Sequence, residues 1–119
     1  MTEMKSYSGG CHCGKVRFDV AADISQVISC NCSYCTKRGS LLSAVDPGKF
    51  TLSAGEKELV EYQFNKHIIH HLFCKTCGTQ SFARGIGPKG EDMVVINVRC
   101  LDGVDLSALK VIPFDGKSM

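Results

Sequence analysis

The sequence has no tryptophan, only three prolines and no apolar run long enough to span a membrane. Residues 1–6 lack the apolar stretch of a secretory signal, so we expect a cytosolic protein that does not enter a membrane. Basic residues are interspersed with acidic ones along the chain and leave a net charge of +2, so the basic stripe typical of nucleic-acid binders is also missing. Membrane and nucleic-acid functions are therefore disfavoured.

Cysteine, in contrast, is abundant and accounts for eight of the 119 residues. A chain of this length is expected to form one domain with a modest core, which bound metal or disulfides would stabilise further. Cytosolic thiols are kept reduced, so a cysteine-rich intracellular chain binds metal more often than it forms disulfides. We therefore expect bound metal, and a disulfide framework or a set of buried metal-free thiols is the alternative.

Short alternating segments predict a mainly β fold. Val16, Phe18 and Val20 alternate with polar residues, as in a half-buried strand. Turns rich in glycine separate the apolar segments, among them residues 85–90. The pattern indicates a single all-β sandwich or barrel-like domain, which we place at residues 7–115 with short tails at 1–6 and 116–119. The predicted strands are 16–20, 41–45, 50–52, 59–64, 66–73, 80–84 and 93–98, and the predicted short helical segments are 33–38 and 105–109.

Seven of the eight cysteines form three tight groups. Two thiolates that lie one or two residues apart can bind one zinc ion from a tight turn, so each pair is half of a site. Four cysteines close a structural zinc site, whereas three leave one coordination position for water or substrate. The groups are Cys11 and Cys13; Cys30, Cys32 and Cys35; and Cys74 and Cys77.

Two pairs and one triplet fit one site of each kind. We favour joining the two pairs in a closed four-cysteine site and leaving the triplet as an open second site. Gly78, directly after Cys77, resembles part of a zinc-knuckle turn, in which the missing Cβ lets backbone N–H groups approach the thiolates. Zinc is the expected ion, although thiolate-rich sites also suit iron–sulfur clusters and Cu(I).

The remaining candidate ligands are three histidines on one predicted strand. His67, His70 or His71 is a possible fourth ligand of the open site, although surface or hydrogen-bonded histidines are the simpler interpretation. His12 lies between two ligands and is expected to point away from the metal. Cys100 stands apart from the groups and is expected to be a thiol that binds no metal.

The order of these motifs resembles the glutathione-dependent formaldehyde-activating enzyme family, which also includes centromere protein V. The resemblance rests on residues 9–16 (GGCHCGKV), 30–35 (CNCSYC) and 73–79 (FCKTCGT), and it extends to residues 97–105. It implies a β-tent fold of twisted antiparallel sheets with two zinc sites. In the family pattern, the residues matching the two cysteine pairs bind a structural zinc and those matching the triplet bind a catalytic zinc.

The resemblance also implies a reaction, the condensation of glutathione with formaldehyde to S-(hydroxymethyl)glutathione, classed as a carbon–sulfur lyase reaction in the reverse direction. Two mechanisms are open: the thiol is held on the metal as a thiolate, or the aldehyde carbonyl is polarised there. Lys37, Arg38 and Arg99 are available for the two glutathione carboxylates, although a solvated basic surface is the simpler interpretation. The alternative function is a non-catalytic zinc-binding module that acts through a protein partner.

Overall fold

The computed structural model describes residues 4–63, 69–86 and 90–115. Within these ranges the strands are β1 (Lys5–Gly10), β2 (Arg17–Ala22), β3 (Gln26–Cys30), β4 (Leu42–Val45), β5 (Phe50–Ala54), β6 (Leu59–Tyr62), β7 (His70–Cys74), β8 (Phe82–Ile86), β9 (Asp92–Asn97) and β10 (Lys110–Phe114). The α-helix is α1 (Ser33–Arg38), and short 3₁₀ helices occupy Pro47–Lys49, Glu56–Glu58, Val98–Cys100 and Leu106–Ala108.

The strands form two sheets. A three-stranded antiparallel sheet has the order β1-β2-β5. A seven-stranded sheet has the order β10-β3-β4-β9-β8-β7-β6, in which β3 and β10 run parallel and the other pairs are antiparallel. The expected mainly β fold with little helix is therefore confirmed, and the parallel pair makes the larger sheet mixed.

Both sheets contribute to one apolar core. The predicted alternation over residues 16–20 is confirmed, because Val16, just before β2, and Phe18 and Val20, within it, are all buried. The ring of Phe18 stacks on that of Phe50 at 5.3 Å, and the ring of Phe82 from the larger sheet lies 4.7 Å from that of Phe50. Each such buried side chain contributes about 1.5–3 kcal/mol to folding. The core thus fixes the two sheets relative to each other. Cys11 follows the end of β1, and Cys30 and Cys74 are the last residues of β3 and β7.

The sequence pattern missed three strands, β1, β3 and β10. Strand β1 contains few apolar residues and ends in two glycines, and it forms because it pairs with β2 along its whole length. A Cβ on Gly10 would lie 2.1 Å from the carbonyl oxygen of Val16, so the close approach of these chains requires glycine there. In β10, Pro113 argues against a central strand, and among the described strands β10 is indeed at the edge of its sheet, with β3 as its one partner.

Some predicted boundaries were wrong by a few residues. Strand β8 runs from Phe82 to Ile86 instead of 80–84, because its pairing with β9 continues to Asp92. Gly85 and Ile86, predicted as part of a turn, are therefore strand residues. Strand β6 lies within the predicted 59–64, and β7 continues one residue beyond the predicted 66–73, to Cys74. Positions 64–68 fall outside the described residues.

The helical predictions agree with the structure. Helix α1 occupies the predicted residues 33–38, and the predicted segment 105–109 contains a 3₁₀ helix with Asp105 as its cap. In the part of the chain that the structure describes, no helix has the length and apolar character that a membrane crossing requires.

Candidate metal centres

The two cysteine pairs meet in one cluster, the four-cysteine cluster, made by Cys11, Cys13, Cys74 and Cys77. Their sulfur atoms all lie within 4.8 Å of one another, although sixty residues separate Cys13 from Cys74. The sulfur of Cys13 is 3.6 Å from that of Cys11 and 3.7 Å from that of Cys74. A tetrahedron of sulfurs around zinc at 2.3 Å has edges of about 3.8 Å. The donor set and its spacing therefore fit a tetrahedral thiolate site.

Two tight turns present these four thiols. The first follows β1, where the backbone N–H of Val16 donates to the sulfur of Cys11 at 3.3 Å. The second follows β7, where the N–H of Thr76 donates to the sulfur of Cys74 at 3.4 Å. Such donors stabilise thiolates and orient them toward a shared ion.

Gly78 closes the second turn. The sequence suggested that the absence of a Cβ lets backbone N–H groups approach the thiolates, and the structure gives a different reason for this glycine. A Cβ at this position would meet nothing within 4 Å, so removal of a steric clash does not explain the glycine. Its φ of +78° lies in the left-handed region, where its N–H donates to the carbonyl of Cys74 at 2.8 Å. The glycine is therefore explained by its left-handed backbone conformation and not by a lack of space for a side chain.

Hydrogen bonds in the second turn favour thiolates even before a metal binds. The Thr79 hydroxyl lies 3.5 Å from the sulfur of Cys77, and this contact together with backbone N–H groups lowers the pKa of the Cys77 thiol to about 5. Backbone N–H groups also lower the pKa of Cys74. Metal ligation needs deprotonated thiols, so this turn is prepared for a cation.

The triplet forms a separate three-cysteine cluster, in which the sulfurs of Cys30, Cys32 and Cys35 lie within 4.8 Å of one another. Cys30 ends β3, Cys32 caps α1, and Cys35 lies in the first turn of that helix. The N–H of Cys35 donates to the sulfur of Cys32 at 3.3 Å. All three residues are partly exposed, in contrast to the buried Cys11 and Cys74.

The environments of Cys32 and Cys35 shift the pKa values of their thiols in opposite directions. Burial would raise the pKa of Cys32, but hydrogen bonds from the Cys35 N–H and from neighbouring groups outweigh it and lower the pKa. Burial and the neighbouring thiols raise the pKa of Cys35. Of these two thiols, Cys32 is therefore the more readily ionised, and a bound cation would favour the thiolate form of both.

Among the described residues, the three-cysteine cluster has no fourth histidine, cysteine or carboxylate ligand. His70 pairs with Glu61 at 3.0 Å, and His71 contacts the side chain of Gln80. The thiol of Cys100 donates to the Gln80 carbonyl at 3.6 Å, and burial raises its pKa to about 11. His12 is exposed and belongs to neither cluster, and the candidate His67 lies outside the described residues.

Comparison with known proteins identifies the family. A family model described as glutathione-dependent formaldehyde-activating enzyme matches residues 6–111. The chain belongs to this family. Among solved structures, the crystal structure of a Rhodobacter sphaeroides protein is similar with a TM-score of 0.78, at 29% identity, over 89% of this chain and 97% of that chain.

Helix α1 of this family member is held by side chains that the sequence did not single out. The Tyr34 hydroxyl donates to Oε1 of Gln80 at 2.6 Å, and Nε2 of Gln80 lies 3.3 Å from Nδ1 of His71. The rings of Tyr34 and His71 are 4.2 Å apart. Tyr34 lies inside the CNCSYC motif, but no sequence signal connects it to Gln80, because only the fold brings them together.

Two of the predicted basic candidates lie at the other end of α1. Arg38 donates to the carbonyl of Gly78 at 3.2 Å, and Nε of Arg99 donates to the carbonyl of Gly39 at 3.0 Å. In the described ranges the ion pairs are Arg17 with Asp102 and His70 with Glu61, so neither of these guanidinium groups is paired with a carboxylate. Lys37 is also in the last turn of α1, and the described residues give no hydrogen bond that joins it to either cluster.

Proposed function

We propose that this protein is a zinc-dependent carbon–sulfur lyase of its family's type, which condenses a thiol such as glutathione with formaldehyde or a related aldehyde. The observation that carries the proposal is the three-cysteine cluster, which is partly exposed and has three candidate ligands in the described part of the chain. A zinc ion held by three thiolates retains one position for a substrate atom, where it stabilises a thiolate or polarises a carbonyl.

The two clusters are proposed to have different roles. In the four-cysteine cluster, Cys74 is fully buried and Cys11 nearly so, and four thiols complete a tetrahedral set. That closed arrangement is typical of a structural zinc site. Cys30, Cys32 and Cys35 would hold the catalytic zinc, which gives two zinc ions per chain.

The reaction itself needs positioning more than redox chemistry. The sulfur of the thiol adds to the carbonyl carbon, a C–S bond forms, the C=O π bond breaks and the thiol proton ends on the oxygen. No electrons are gained or lost overall. What the protein must supply is a fixed place for the sulfur beside an aldehyde, which lowers the entropic part of the barrier. Cys32 and Cys35, joined by one helical turn and by the hydrogen bond from the Cys35 N–H to the sulfur of Cys32, would hold the ion that provides this place.

Arg38 and Arg99 are proposed to bind the carboxylates of the thiol substrate. Both guanidinium groups contact backbone carbonyls and are not ion-paired within the described ranges, so several N–H donors of each are available. Arg38 is the last residue of the helix that Cys32 caps, and Arg99 contacts Gly39, the residue directly after that helix.

Exchange NMR tests the proposal directly. With protein whose zinc content has been measured, we expect faster exchange between labelled formaldehyde and its glutathione adduct than in the uncatalysed mixture. Removal of the metal with a chelator should return the exchange to the uncatalysed rate. No acceleration with both zinc ions in place would reject the lyase activity and favour the non-catalytic zinc module.

A further inference from the structure

Helix α1 and its N-cap carry two ligands of the three-cysteine cluster, but the helix has no buried residue of its own. It is six residues long. An isolated helix of this length is unstable in water, because the free-energy cost of forming the first turn exceeds the gain from adding so few residues. The position of Cys32 and Cys35 relative to Cys30, which lies on β3, must therefore depend on contacts that α1 makes with the rest of the protein.

The contact between Tyr34 and Gln80 is the best defined of these. Tyr34 lies between Cys32 and Cys35, and its hydroxyl donates to Oε1 of Gln80 at 2.6 Å. Gln80 is only 8% exposed, so loss of this donor would leave a buried carbonyl oxygen with one partner fewer.

Gln80 is in turn fixed on the sheet and on the turn of the four-cysteine cluster. Its side-chain amide contacts His71 of β7 at 3.3 Å, and its backbone carbonyl accepts from Nδ2 of Asn97 in β9 at 3.0 Å. It follows Cys77 by three residues, on the segment that leaves the turn. Gln80 therefore connects helix α1 to that turn and to strands β7 and β9, and it fixes where the helix lies relative to them.

We propose that Tyr34 and Gln80 are positioning residues, through which the turn of the four-cysteine cluster holds the three-cysteine cluster in its metal-binding geometry. The proposal rests on metal binding by both clusters but not on the lyase reaction. Ligands must be held within about 0.5 Å of their productive positions, so a shift of α1 relative to Cys30 weakens metal binding at that cluster alone. The turns of the four-cysteine cluster have hydrogen bonds of their own, from the N–H groups of Val16, Thr76 and Gly78, and these do not involve Tyr34, so the affinity of that cluster should not change.

Cadmium-113 NMR of protein loaded with Cd²⁺ provides the test, because four-thiolate and three-thiolate sites give separate signals. Competition with a chelator then measures each site by its own signal. Tyr34→Phe removes one hydroxyl and keeps the ring. We expect it to weaken Cd²⁺ binding at the three-cysteine cluster by about 10- to 100-fold, and to leave the four-cysteine cluster unchanged. Tyr7→Phe, a partly buried tyrosine of β1, is the matched control and should change neither signal.

A second variant makes the test independent of one substitution. Gln80→Met removes the polar atoms from the other partner and should give the same selective loss, while the double variant should be no weaker than either single one. Gln80→Glu keeps an acceptor for the Tyr34 hydroxyl and should restore most of the affinity. Equal weakening of both sites, which indicates general destabilisation, or no weakening at all overturns the proposal. Selective loss in these variants, together with a zinc-loaded wild-type protein that shows no lyase activity, would refute the proposed reaction and leave the positioning role intact.

Discussion

Arg38, the last residue of α1, donates a hydrogen bond of 3.2 Å to the backbone carbonyl of Gly78 in the turn of the four-cysteine cluster. Its guanidinium also lies over the rings of Tyr34 and Phe73, at 5.1 and 5.5 Å from their centroids. The helix of one candidate metal centre is thus bonded to the turn of the other. The chemistry proposed for the three-cysteine cluster therefore depends on residues outside its own sequence motif.

The contact between His71 and Gln80 predicts a pH dependence of stability. Oε1 of Gln80 accepts from Tyr34, so Nε2 of the same amide is the donor toward Nδ1 of His71, which must be unprotonated. Burial lowers the pKa of His71 from its ordinary 6.5, and the charge of Arg38 adds to this effect. The unfolded chain therefore takes up a proton at a higher pH than the folded one, and the free energy of unfolding falls as the pH drops below about 6.5.

Denaturant unfolding at several pH values tests this prediction. Between about pH 7 and pH 5, the wild-type protein should lose stability more steeply than His71→Gln, which has no group to titrate there. Parallel curves for wild type and His71→Gln would show that His71 does not contribute.

Arg99 should determine which thiols the protein accepts. Arg99→Gln keeps a hydrogen-bond donor but removes the charge, so the KM for glutathione should rise about tenfold, as expected for loss of one charge-assisted hydrogen bond. The KM for an uncharged thiol such as 2-mercaptoethanol should not change. Lys49→Gln, at an exposed lysine of the Pro47–Lys49 turn, serves as the control for general loss of charge. Equal increases for both thiols would contradict a carboxylate contact.

Cys74→Ala and Cys32→Ala should differ in stability. Cys74 is fully buried and belongs to the closed cluster, and a structural zinc contributes on the order of 10 kcal/mol to folding, which is comparable to the whole stability of a small domain. Cys74→Ala should therefore unfold the protein or leave it with a much lower melting temperature. Cys32→Ala should remain folded and retain one zinc per chain by metal analysis. Equal loss of stability in the two variants would refute the division into a structural and a catalytic site.

Much of the candidate site could be predicted because it depends on local spacing. The short separations within each cysteine group restrict how the thiols can meet, and the two pairs and the triplet do form the groups that the sequence favours. Helix α1 was also predicted, at residues 33–38, and the structure adds that Cys32 caps it and that Gly39 ends it with a φ of +69°.

The parts that could not be predicted depend on contacts between distant segments. Strand β1 has no apolar alternation and forms by pairing with β2, and Pro113 in β10 is tolerated because that strand is at an edge. Tyr34 and Gln80 are 46 residues apart, and only the packing of α1 against the segment after Cys77 makes them partners. No pattern within either segment contains that information.

The central claim is that the three-cysteine cluster is the catalytic centre, and exchange NMR of the Cys32→Ala variant tests it most directly. The comparison uses wild-type protein with two zinc ions and the folded variant with one, each mixed with labelled formaldehyde and glutathione. We predict acceleration by the wild type and the uncatalysed rate with the variant. A variant that accelerates exchange as well as the wild type would contradict the claim.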